Sequence, residues 1–280
     1  MALQGMFRPR TVDEALELLA QDPEARLLAG GATLVAMINA RVVAPAALVH
    51  LAGIRELHGI STLSDGRVRI GAFTRHRDTA ACALALGSGT VVRDAASQIA
   101  NATVRNMGTI GGSISFADPG LDYPPALVAA RASVEIASRS GRRTLPAREF
   151  FVDWYTTARQ DDEIVTAVLL PAPDGGTGLY VKHARVAGDY ATASVAIARD
   201  GAGRLRVAVG SCGPTPIADD EVDVMLSADA SAAAVARAGE RLRSLADPLD
   251  DVRGTSEYRR MLIPRLLARA CRQIHARGAA

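Results

Sequence analysis

A chain of 280 residues that is 49% hydrophobic and 22% charged has the composition of one large globular domain or two ordinary ones. Its 32 Lys and Arg against 30 Asp and Glu leave a net charge of +2, with no basic run and 4% aromatic residues, which argues against a nucleic-acid groove with its clustered cations and stacking rings. No stretch approaches the roughly 18–20 apolar residues that span a bilayer, and MALQGMFRPR lacks the apolar core of a secretory signal, so a cytoplasmic protein that is not integral to a membrane is expected.

Thr11 to Glu14 has the Thr-x-x-Glu form of a capping box, and Ala15, Leu16, Leu18 and Leu19 follow at helical spacing, which predicts a helix over about 12–20. Ala25 to Ala29 reads as a short buried strand running into Gly30-Gly31, after which Thr33 is placed to cap a helix carrying Leu34, Val35, Met37 and Ile38. A third apolar run over 46–51 completes a small α/β unit. Two strand-like runs flank Asp65-Gly66 between Ile60 and Ile70, a hairpin pattern. Helices are expected over about 77–86 and 89–100, the second with Val91, Val92, Ala95, Ala96 and Ile99 on one face. Pro124-Pro125 suits the first turn of a short helix, where the missing N–H costs nothing.

Strands follow over 132–137, turning at Ser140-Gly141, and over 164–170. Between them Phe150, Phe151, Trp154 and Tyr155 form the densest aromatic cluster, read as core packing under a loop. Pro171 to Gly178 is the best linker candidate. Beyond it, strands over 179–184, 193–198 and 205–209 and helices over about 230–246 and 256–277 make a separate α+β unit. Pro264 inside the last helix predicts a kink or break there.

The segment ATVRNMGTIGGSISFADPGLDYPP, from Ala102 to Pro125, concentrates the candidate chemistry. Arg105, Asp118 and Asp122 flank Gly111-Gly112, and Thr109, Ser113 and Ser115 supply hydroxyls. Glycine reaches positive φ and permits close approach, and successive exposed amides form a nest for an anion, typically a phosphate. With Gly30-Gly31 the two turns suggest two sides of one diphosphate site. On the residues alone both pairs also read as ordinary turns between strands, and neither fits the dinucleotide or P-loop glycine spacing.

Cys82, Cys212 and Cys271 lie far apart with no C-x-x-C, which suits reduced thiols. An iron–sulfur cluster normally needs four thiolates. His50, His58, His76, His183 and His275 also lack metal-ligand spacing, so no metal site is expected on this chain.

LLAGGATLVAMINARVVAPAALVHLAGIREL resembles the first flavin loop of the FAD-binding medium subunits of molybdenum hydroxylases, a group that includes aerobic carbon monoxide dehydrogenase and xanthine dehydrogenase. VRNMGTIGGSISFADPGLDYPPAL resembles their second loop, and the likeness runs from Phe7-Arg8-Pro9 to YRRMLIPRLLARA, essentially the whole chain. The resemblance implies an α+β chain with a p-cresol-methylhydroxylase-type FAD-binding domain over 1–173, made of two α/β subdomains over about 1–56 and 57–173. A C-terminal medium-subunit domain over 177–278, a three-stranded antiparallel sheet with helices, would follow.

Carried over residue by residue, the family pattern puts Ala29, Gly30, Gly31, Ala32, Thr33 and Leu34, with Thr109, Ile110, Gly111, Gly112 and Ser113, around the FAD pyrophosphate, mainly through main-chain amides. Asp122 would meet the ribityl or diphosphate region, Ile99 and Val165 would pack the cofactor, and Lys182 and Tyr190 would lie near the isoalloxazine, Tyr190 covering one face. Ala32 departs from the His or Gln of many relatives, removing one side-chain donor worth about 1 kcal/mol and one possible point of covalent flavin attachment.

The implied function is electron transfer within a molybdopterin dehydrogenase. This FAD would collect electrons from two-iron clusters of a small subunit and pass them to an external acceptor. A large subunit would hold molybdopterin cytosine dinucleotide and oxidise the substrate, in an (αβγ)2 assembly. The residues expected to be catalytic or metal-ligating on this chain are therefore none. Two other readings are a self-contained FAD oxidoreductase of the same fold and a non-enzymatic nucleotide-binding module.

Overall fold

The structure, a computed structural model, describes residues 5–277. Most of the segment screened for a signal core is thus described, but Met1 to Gln4, like residue 278 of the expected C-terminal domain, lies outside it. None of the described helices is long and apolar enough to cross a membrane.

The chain opens with β1 (Gly5–Phe7), α1 (Val12–Gln21), β2 (Arg26–Leu28), α2 (Leu34–Asn39) and β3 (Ala47–His50). The strands form a parallel sheet in the order β1-β3-β2, with the apolar run Ala47 to Val49 buried at its centre. Thr11 caps α1 by accepting the Glu14 amide at 3.1 Å, while the Glu14 carboxylate reaches back to the Arg10 amide at 2.6 Å, one residue beyond the position of an ideal capping box. Thr33 does not cap α2. Its backbone is already helical and its hydroxyl makes no cap bond, because the chain coils directly out of the glycine turn.

A second sheet, wholly antiparallel, has the order β4-β5-β10-β6-β7. Its edge hairpin is β4 (Ile60–Thr62) and β5 (Val68–Gly71), turning at the expected Asp65-Gly66. Helices α3 (His76–Ala80), α4 (Thr90–Ser97), α5 (Ala102–Met107), α6 (Ile110–Phe116) and α7 (Tyr123–Ala129) come next. They are followed by β6 (Ser133–Ser138), β7 (Gly141–Pro146), α8 (Ala147–Phe150), β8 (Phe151–Asp153), β9 (Thr156–Thr157) and β10 (Ile164–Leu170). All seven residues of IVTAVLL in β10 are buried, as a central strand covered on both faces requires. Its one polar member, Thr166, donates to Glu135 Oε1 at 2.6 Å.

Two expected helices are shorter than their apolar patterns. The first stops at Ala80 and gives way to turns, and α4 ends at Ser97, leaving Ile99 buried just past it. The aromatic cluster divides: Phe150 and Phe151 pack edge to face in the core at 5.2 Å, whereas Tyr155 is 57% exposed.

The last unit is a meander of β11 (Thr177–His183), β12 (Ala193–Arg199) and β13 (Leu205–Gly210), so the expected linker gives up its last two residues to a strand. Helices α9 (Asp220–Ala228), α10 (Ala232–Ser244) and α11 (Ser256–Arg277) cover one face of it, and their apolar residues share a separate core with Val195, Ile197 and Val207. α9 is absent from the sequence reading because its buried positions, Val222, Asp223 and Leu226, include a carboxylate. The available signal was Asp219, which caps the helix by accepting the amides of Glu221 and Val222. Pro264 does not break α11, which runs continuously from Ser256 to Arg277.

Candidate functional site

The two glycine segments meet. A Cβ on Gly30 would overlap the carbonyl oxygen of Met107, and one on Gly112 would lie 3.6 Å from the Ala29 side chain. The turn after β2 and the turn between α5 and α6 therefore form facing walls, though they are eighty residues apart. Between them lies a cavity of about 670 Å³, within the size range of small-molecule and cofactor sites.

The two walls offer different chemistry. On the first, Gly31 takes φ of 78°, and among the described residues the amides of Gly30, Gly31, Ala32, Thr33 and Leu34 donate to no protein acceptor. A run of free amides at a cavity wall is an anion nest. On the second, Gly111 and Gly112 are helical rather than left-handed, which corrects the expectation of a positive-φ turn. The amides of Ile110 to Ser113 are also already used, by Thr74, Ala72, the Thr109 hydroxyl and the Thr109 carbonyl. This wall contributes shape and the hydroxyls of Ser113 and Ser115. Gly111 is glycine for another reason: a Cβ there would lie 2.5 Å from that of Ala72.

Of the residues singled out from sequence, Ala29, Gly30, Gly31, Ala32, Thr33, Leu34, Ile99, Thr109, Gly111, Gly112, Ser113, Asp122, Val165 and Tyr190 line this cavity. Ile110 and Lys182 do not. Ile110 is fully buried in the core, and Lys182 stands behind the wall, its Nζ 3.0 Å from Asp122 Oδ1 and 3.2 Å from the Gln98 carbonyl. The Tyr180 hydroxyl also donates to Asp122, at 2.7 Å. Burial pushes the Asp122 carboxyl up, opposed by Lys182 and the Tyr180 hydrogen bond. Lys182 thus holds the carboxylate that faces the cavity.

Tyr190 closes one end. Its ring packs over Gly120, where a Cβ would come within 3.0 Å, and the Arg253 guanidinium sits 4.9 Å from its centroid. Burial, then Asp118, pushes its hydroxyl up to about 12. His76, which sequence reasoning missed, lines the floor with Nδ1 3.2 Å from the Tyr123 hydroxyl, and burial lowers it to about 4. Arg159, Leu27, Ile164 and Phe116 were also missed. Only the position of Arg159 just before a buried strand marks it in the sequence.

This cradle fits a long dinucleotide: glycine positions open its walls, free amides face inward, and an aromatic ring closes one end. The comparisons with known proteins agree. Residues 2–173 match the model of the FAD binding domain in molybdopterin dehydrogenase, and residues 179–274 match the CO dehydrogenase flavoprotein C-terminal domain. The chain belongs to the FAD-binding medium subunits of the molybdopterin dehydrogenases.

Among its relatives, the glyceraldehyde dehydrogenase medium chain of Sulfolobus acidocaldarius is 34% identical, covering 95% of this chain and 96% of that one. The carbon monoxide dehydrogenase medium chain of Hydrogenophaga pseudoflava is also 34% identical, over 97% and 96%. In a solved structure of carbon monoxide dehydrogenase from that organism, one chain superimposes with a TM-score of 0.92 at 33% identity, covering 98% of this chain and 97% of that one. A chain of quinoline 2-oxidoreductase from Pseudomonas putida 86 gives 0.89 at 27% identity, over 100% and 99%. The medium subunit described here is accordingly an FAD-binding oxidoreductase subunit with the p-cresol-methylhydroxylase-type fold and the antiparallel C-terminal sheet of its family.

Proposed function

We propose that this medium subunit holds one FAD in the cavity between its glycine walls and relays electrons from a small iron–sulfur subunit to an external acceptor. The observation that carries the site is the run of unbonded amides from Gly30 to Leu34 facing the Gly111-Gly112 wall. Those amides would take the diphosphate, with Thr109 and Ser113 opposite. Asp122, fixed by Lys182 and Tyr180, would accept from the ribityl hydroxyls. Ile99 and Val165 would supply apolar contact, and Tyr190 would cover one face of the flavin. Bound FAD supplies the redox chemistry, while the chain's task is to bind, orient and shield it.

The same reading assigns domains of 1–173, divided near 56, and 177–278, supported by the family matches over 2–173 and 179–274. It places molybdopterin cytosine dinucleotide on a large partner and two-iron clusters on a small one, in an (αβγ)2 complex. Relatives of similar identity are named for glyceraldehyde, carbon monoxide and nicotine, which supports substrate selection outside the medium subunit. The free, buried Cys82, Cys212 and Cys271 support a reducing, cytoplasmic setting.

Absorbance spectra test the core of this proposal. The purified chain is expected to carry or take up one FAD per polypeptide, and the flavin to be reduced by substrate only when both partners are present. A chain that takes up no FAD, or one that turns over an organic substrate alone, overturns it. Light scattering of the complex checks the (αβγ)2 stoichiometry.

A further inference from the structure

The cavity has two unlike ends. Beyond Asp122 it closes on Tyr190. At the opposite end the wall passes from Gly111 to Ala72, whose amide donates to the Thr166 carbonyl, and then back along β10 through Val165 and Ile164 to Arg159. Leu19 and Leu27 line the cavity on the first-sheet side, where Asp22 and Arg26, together with Asp161 and Asp162 just after Arg159, add charged groups to the lining.

Arg159 is unusual in how it is held. Its Nη1 donates to the carbonyls of Gln160 and Glu163, at 2.5 and 3.0 Å. The turn bearing it is built around the buried Glu163 carboxylate, which Arg143 grips with two bonds of 2.8 and 2.7 Å and which also accepts the Gln160 amide at 2.8 Å. Among the described residues, no carboxylate forms an ion pair with Arg159, although Asp161 and Asp162 line the same cavity and their charges act on the guanidinium. Its Nε and Nη2 donate to no protein acceptor. Arg26, the other cation at this end, is exposed and folds back onto the carbonyls of Pro23 and Ala25. A half-buried, immobilised guanidinium with free donors, beside the apolar side chains of Leu19, Leu27 and Ile164, suits a planar heteroaromatic ring, on which arginine stacks and to whose edge it donates.

We propose that Arg159 is the positioning residue for the AMP half of FAD, and that it makes this subunit select FAD over FMN. The inference rests on the glycine walls holding the diphosphate and Tyr190 marking the flavin end. Given those, the nucleobase occupies the Arg159 slot. Because the Glu163 frame fixes the guanidinium before binding, little side-chain entropy is lost on contact.

Fluorescence titration of the full-length apo subunit with FAD and with FMN tests this, using the wild type, Arg159→Ala and Arg159→Lys. Arg159→Ala is expected to raise the Kd for FAD roughly 5- to 30-fold, the size of a partly desolvated guanidinium–ring contact. The Kd for FMN and the apo melting temperature should stay as in the wild type. Arg159→Lys should recover only part of the loss, since it keeps the charge but not the plane. The proposal is overturned by an FAD affinity within twofold of wild type in Arg159→Ala, by equal weakening of FAD and FMN, by a melting temperature that falls in step with affinity, or by full recovery in Arg159→Lys. A wild-type chain that binds neither flavin overturns the site reading itself, a distinct result.

Discussion

Single residues at this site show how one residue type serves different physical ends. Gly31 is left-handed, whereas Gly30 and Gly111 are glycine because another backbone lies where a side chain would be. Gly111→Ala would place a methyl 2.5 Å from the Ala72 Cβ and 2.7 Å from its carbonyl oxygen, so α6 must move away from the residue that follows β5. Overpacking of this kind costs roughly 1–3 kcal/mol, and a melting temperature several degrees lower with reduced FAD occupancy is the expected result. His76 gives a pH signature. Burial, then Arg105, lowers it to about 4 against an unfolded value near 6.5, so the stability linked to its neutral form is complete above 6.5 and lost as pH falls towards 4. Between pH 7 and pH 5 this amounts to about 2 kcal/mol. Urea melts of the apo subunit at the two pH values should show that loss, and His76→Gln should show a smaller one. An equal loss in both proteins would assign the pH dependence elsewhere.

Among the elements, agreement follows apolar continuity. β3, β10 and the β11–β13 meander were readable because an uninterrupted buried run leaves few alternatives. The helix expected over 77–86 was not, since Ala80, Cys82 and Ala85 keep a plausible spacing while the chain turns after Ala80. The closing helix pair shows where a local rule yields to packing. Pro264 stays inside α11, and Gly239 of α10 lies directly against it: a Cβ on Gly239 would meet Pro264 Cα and Cβ at 2.9 Å. Gly239→Ala gains about 1 kcal/mol of helix propensity but meets an overpacking cost of roughly 1–3 kcal/mol against a rigid ring. The expected net effect is a less stable C-terminal unit, read as a lower midpoint in denaturant. An unchanged or higher midpoint would mean that the two helices separate freely.

Across the whole molecule, the C-terminal meander is tied to the cavity between the glycine walls through buried charge. Asp122 precedes α7, Lys182 and Tyr180 come from β11, and the side chains of the ion pair are 7% and 6% exposed. Such a pair contributes little net stability, but removing one partner strands the other, at about 3–5 kcal/mol. Lys182→Met is therefore expected to destabilise the subunit by about that amount, and Asp122→Asn in the same chain to recover most of it, in a double-mutant cycle of unfolding free energies. Additive losses would show that the two side chains are not coupled. Arg277, bound to Asp94 and to the Gly178 carbonyl at 2.8 Å each, and Thr90, accepting the Gly178 amide at 2.6 Å, make the same junction farther from the cavity. The C-terminal sheet thus helps to fix one wall of the cavity, through Lys182 and Tyr180 on Asp122.

By itself the sequence determined what is local or carried by extended similarity: the buried strands, the hairpin at Asp65-Gly66, the two glycine segments and membership of the medium-subunit family. Only the tertiary structure decided that Gly30 abuts the Met107 carbonyl, that Gly111 is helical and packed on Ala72, that Lys182 stands behind Asp122, and that Arg159 reaches the cavity. Each depends on groups tens of residues apart in the chain. Their approach is driven by burial and by hydrogen bonds completed only on folding, and neither periodicity nor propensity encodes which distant backbone will come to rest against a given glycine.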